Sequence, residues 1–132
     1  MKLVEREPYL AELDAALARA VAGTGCIALV SGEAGIGKSS LVDVFTRRHT
    51  VSVPVYWGLC DSLFTPRPFG PVHDMAGKLD AKLPAMLNSA SLHTAIFPAV
   101  LDAMQQQTAI IVFEDVHWAD EATLDLLRFL GR

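Results

Sequence analysis

Eight residues, Gly32-Glu33-Ala34-Gly35-Ile36-Gly37-Lys38-Ser39, constrain this chain more than any other feature. They follow the short apolar run Cys26–Ser31 and precede Lys38–Arg48, where Leu41, Val42 and Phe45 recur at helical spacing. A nearly all-apolar run bounded by glycines predicts a strand buried on both faces of a parallel sheet. The segment therefore reads as strand, glycine-rich turn and helix. The turn fits G-x-x-x-x-G-K-[ST] in full, with an extra glycine at 35. Ordinary residue frequencies would produce the four fixed positions by accident in about one chain in a few hundred of this length.

That pattern has a chemical meaning. Phosphate oxygens are met by a ring of backbone N–H groups only if the chain curls through positive φ, which glycine does without steric cost. The following helix then turns its free first-turn N–H groups and positive dipole end toward the anion. Lys38 has the reach for the β- and γ-phosphates of a nucleotide, and the Ser39 hydroxyl suits one magnesium position. The phosphate-binding set is Gly32, Glu33, Ala34, Gly35, Ile36, Gly37, Lys38, Ser39 and Ser40. Downstream, Ile110-Ile111-Val112-Phe113 runs directly into Glu114-Asp115. A buried strand ending in carboxylates supplies a magnesium-side acid and an acid that orients the attacking water. Successive strand residues point in opposite directions, so the two acids do not share one job equally.

The rest of the chain alternates strands with helices. Glu7–Val21 predicts a helix with Leu10, Leu13, Leu17 and Val21 on one face, Pro8 in its first turn and Gly23 at its stop. Val51–Gly58 predicts a strand, placed at a sheet edge because Pro54 has no N–H for a central ladder. Pro71–Leu83 predicts a helix closed by Pro84, and Leu92–Gln106 a second, in which Pro98 forces a kink or a later start. Thr108–Phe113 is the third strand, and Asp120 caps a last helix, Glu121–Leu130. His117 and Trp118 are expected to pack the loop between them. The fold class expected is α/β, a three-layer arrangement with a parallel sheet and helices on both faces.

Bulk properties narrow the function classes. With 52% hydrophobic and 20% charged residues, the chain of 132 residues is expected to form one packed domain rather than a disordered tail. The net charge of −4 and scattered basic residues give no footprint for direct nucleic-acid binding. The apolar run Ala109–Phe113 is far short of the ~20 residues a membrane span needs. Cys26 and Cys60 have no metal-ligand spacing and sit in or beside apolar segments. A cytoplasmic, reduced setting is the expectation.

Four stretches extend the pattern: LVERE at 3–7, SGEAGIGKSSLV at 31–42, YWGLCDSLFTPRPFGPVHDMA at 56–76 and VFEDVHWADEATLDLLRFLGR at 112–132. Through them the chain resembles the P-loop ATPase module of the STAND class, especially the large ATP-binding LuxR-type transcriptional regulators, and the broader origin-recognition-like AAA domain. The resemblance implies a Mg-ATP-binding module of a signalling ATPase, with ATP and Mg2+ as ligands and weak or absent hydrolysis in this segment. It implies that Val4 and Arg6 line the adenine side, that Glu114 joins Ser39 on the magnesium side, and that Asp115 orients water. Two residues depart from the family pattern: Glu5 stands where Gly is usual, and Glu114 where Asp is more frequent. The choice of ATP over GTP also comes from the resemblance, and no N-K-x-D guanine motif is present.

In that fold a further strand follows the helix after the acidic pair and inserts between the P-loop strand and the third strand. The sequence reaches Arg132 before it. The reading is therefore an N-terminal part of a longer ATPase domain, with apolar strand edges open to self-association. Two other readings are carried alongside: a complete small ATPase or nucleotide kinase, and a non-catalytic interaction protein that keeps the fold.

Overall fold

The computed structural model describes residues 7–30, 38–60, 68–89 and 93–131, those at 38, 39, 93 and 94 by backbone alone. The described residues fall in two compact units, divided after Pro54.

The first unit contains α1 (Glu7–Val21) and α2 (Lys38–His49). α1 stops as its sequence demands. Gly23 takes φ 107°, its N–H donates to Ala20, and the Thr24 N–H reaches back to the Arg19 carbonyl at 2.9 Å. This is a Schellman ending, which satisfies carbonyls that otherwise lack partners. The expected apolar face is only partly covered. Leu10 is buried, Leu13 and Leu17 are half-buried, and Val21 is exposed. On α2, Leu41 and Phe45 are buried and Val42 half-buried, which matches the helical spacing. Polar ties join the two helices: Asp14 meets the His49 ring at 2.7 Å and Arg48 at 3.3 Å.

The strand expected at Cys26–Ser31 does not form over its described part. Residues 24–30 have no regular structure, and Ile27 and Leu29 are 52% and 86% exposed. β-propensity expresses packing against neighbours more than an intrinsic backbone preference. Among the described residues, no strand offers this run a ladder. Cys26 is accordingly exposed rather than acting as a buried hydrophobe.

The second unit is built on two parallel strands, β1 (Val55–Leu59) and β2 (Ile110–Glu114), paired from Val55↔Ile110 to Leu59↔Glu114. The strands begin later than expected because Pro54 ends the irregular lead-in to β1. Between them run α3 (Gly70–Leu79), α4 (Leu83–Asn88) and α5 (His93–Gln105), the long crossover that a parallel pair requires. A 3-10 turn (Val116–Trp118) and α6 (Glu121–Leu130) follow β2. The result is a mixed α/β fold with a small parallel sheet, consistent with a partial P-loop NTPase fold.

Pro84 does not close α3. That helix ends at Leu79, and Pro84 instead sits in the first turn of α4, where a missing N–H costs nothing. Pro98 lies inside α5. The core joins Val72 and Ala76 of α3, Val100 of α5 and Leu126 of α6, with Phe113 of β2 packed against it. Phe97 bridges these elements, edge-on to Phe69 at 6.1 Å and tilted against Phe129 at 5.5 Å. α3 lies so close to β1 that a Cβ on Gly58 would stand 2.6 Å from the Pro71 Cβ and 2.8 Å from Met75 Cε. Among the described residues, no helix is long and apolar enough to cross a membrane.

Candidate functional site

The predicted phosphate-binding residues Gly32, Glu33, Ala34, Gly35, Ile36 and Gly37 lie outside the described residues, as do Val4 and Arg6. What is described is the helix they lead into. α2 runs from Lys38, so Lys38, Ser39 and Ser40 form its first turn, with Ser40 exposed. That turn holds no acidic residue, while Arg47, Arg48 and His49 fill the last turn. Helix N-termini carry partial positive charge and unpaired N–H groups. Without a carboxylate to compete, this end of α2 fits an anion such as a phosphate.

The acidic pair belongs to the second unit. Glu114 is the last residue of β2 and is half-buried, and its carbonyl accepts from the Cys60 N–H at 3.0 Å. Asp115 leaves the strand in the left-handed region, φ 55° and ψ 49°, and is exposed. Non-glycine residues seldom adopt that conformation; Asp tolerates it better than most. Its carbonyl accepts from the Trp118 N–H at 2.8 Å, which closes the 3-10 turn. The two acids thus differ in backbone state as well as in direction, one extended and half-buried, the other turned out.

Both strands end level at Leu59↔Glu114, so the segments that follow them leave the same rim of the sheet. Open α/β sheets bind ligands beyond such carboxyl ends. Two further carboxylates build this rim. Asp74 of α3 accepts from the Leu59 N–H at 3.0 Å. Asp120 caps α6, as expected, through the Thr123 N–H at 3.0 Å and the Thr123 hydroxyl at 2.6 Å. The same Asp120 also accepts from the Phe69 N–H at 3.1 Å, a bond that its sequence position does not announce. Burial works against its charge, but the donors outweigh that and hold its carboxyl below the usual range.

Cys60 sits at this rim, buried. Burial first, then the charges of Asp120, Asp115 and Asp74, push its thiol up to about 11. It is an inert neutral group rather than a nucleophile. His117 and Trp118, expected to pack the loop, are instead exposed, their rings tilted against each other with centroids 5.2 Å apart. A turn of one 3-10 winding is too short to fold them inward.

Among the described residues, no group of three His, Cys, Asp or Glu is placed to hold a metal ion. Magnesium asks for less: one or two carboxylates, with phosphate oxygens and water completing its shell.

No curated protein and no solved structure matches the chain. The AAA ATPase domain family matches it over residues 2–132, nearly its whole length. Motif, parallel strand pair and family match agree, and the chain belongs to the AAA ATPase domain family.

Proposed function

We propose that this chain is the Mg-ATP-binding module of a signalling ATPase of the STAND class, akin to the ATP-binding LuxR-type regulators, with slow or absent hydrolysis by this segment. The observation that carries the reading is the acid-free helix start at Lys38, directly after the glycine-rich turn. Gly32–Gly37 would offer main-chain N–H groups to the triphosphate, and Lys38 one ammonium. Ser39 and Glu114 would hold magnesium, which when bound neutralises charge on the phosphates. Asp115, turned out from the sheet, is suited to orient a water molecule. Val4 and Arg6 would flank the adenine. In such switches the γ-phosphate orders segments that relax once it is lost, so occupancy matters more than turnover.

Calorimetric titration with ATP and MgCl2 tests this. Wild type is expected to bind and to melt at higher temperature, since ligand at a hundred times Kd adds about 2.7 kcal/mol of stability. Lys38→Ala should abolish both effects. No binding by wild type at millimolar ATP would remove the proposal, and multiple-turnover phosphate release would replace it with a competent ATPase.

A further inference from the structure

Asp120 makes more bonds than a helix cap needs. One oxygen facing the Thr123 N–H suffices to cap α6. The carboxylate also takes the Thr123 hydroxyl and, across 51 positions of sequence, the Phe69 N–H just before α3. Phe69 is itself left-handed, φ 59°, and buried in the core, so this bond ties α6 to a fixed point.

Between Asp115 and Asp120 there is little slack. The Trp118 N–H donates to the Asp115 carbonyl and the Ala119 N–H to the Val116 carbonyl, at 2.8 and 2.9 Å. The turn is therefore pinned at one end by β2, where Glu114 accepts from Cys60, and at the other by Asp120. Asp115 itself enters the turn in the left-handed region, φ 55°. The charges at the rim repel one another, yet Asp74 and Asp120 are each held by main-chain N–H groups. The Asp115 side chain is exposed at this rim.

We propose that Asp120 is a positioning residue: through the Phe69 N–H it fixes the turn that presents Asp115, the acid proposed above to orient water, at the sheet rim. The water-orienting role of Asp115 rests on the proposed Mg-ATP function; the fixing of the turn does not.

Two substitutions separate this role from plain capping. Asp120→Ser keeps an oxygen for the Thr123 N–H but is too short for Phe69. Asp120→Asn keeps an oxygen for both N–H groups and offers its amide to the Thr123 hydroxyl. Amide hydrogen exchange should rise about fivefold or more at both Phe69 and Trp118 in the Ser variant, and stay near wild type in the Asn variant. Protection within α6 should persist in both. Should the Ser variant not fold, Asp120→Glu, which misplaces the oxygens while keeping the charge, takes its place. Faster exchange at Phe69 with Trp118 as protected as in wild type would overturn the positioning role, as would failure of the Asn variant to restore protection. Absence of ATP binding by wild type would remove the nucleotide reading, and the Trp118 exchange would still decide what Asp120 does to the turn.

Discussion

Among single residues, Asp115 shows best how conformation and chemistry are linked. Its φ of 55° is affordable for Asp or Asn and costly for a β-branched side chain, by about 1–2 kcal/mol. In urea melts Asp115→Asn should therefore keep an unfolding free energy close to wild type, while Asp115→Val lowers it by that amount. If both variants melt alike, the left-handed turn is not the one in solution. The sequence made the residue type legible here, because an apolar run ending in Glu-Asp is a recognisable pattern. It did not reveal the turn, since nothing local distinguishes an acid that continues a strand from one that leaves it. The Asp120 bond to Phe69 was hidden for a related reason: capping is a three-residue signal, whereas this contact spans 51 positions.

Elements were read well where the signal was local. Glu7–Val21 and Glu121–Leu130 have the expected bounds, each set by a cap or stop in the adjoining residues. The strand expected at Cys26–Ser31 depended on a partner that no local pattern supplies, and residues 24–30 are irregular, all but Val30 exposed. Leu29→Glu discriminates between these pictures. In an exposed segment the change should shift unfolding free energy by no more than about 0.5 kcal/mol. A buried central strand would lose several times more, on the order of 2–5 kcal/mol. The close approach of α3 to β1 gives the opposite expectation for Gly58→Ala. The added methyl meets Pro71 and Met75, and Pro71 belongs to a helix start that cannot swing aside. The cost should be about 1–3 kcal/mol in denaturant melts. A neutral result would mean that helix and strand sit further apart.

For the molecule as a whole, the two thiols report on two units at once. Cys26 is exposed in the first and Cys60 buried in the second. At pH 8 a thiol reagent should label one equivalent quickly and the second only on unfolding; two fast equivalents would contradict the packing around Cys60. Because folding raises the Cys60 pKa to about 11, the folded state favours its protonated form. That contribution is complete below the unfolded value near 9.0 and is lost as pH climbs toward 11. Alkaline melts should therefore weaken over that interval in wild type, and less so in Cys60→Ala compared with its own neutral value. The level ending of the two strands has a last consequence, for insertions and deletions. Extra residues in either following segment would lengthen a loop and leave the ladder alone. Losing one residue within 110–113 would invert every later side chain of β2. Such a frame slip would bring Asp115 to the strand's last pairing position and Glu114 to the one Phe113 now holds, so the ladder works as a ratchet that decides which acid faces which way.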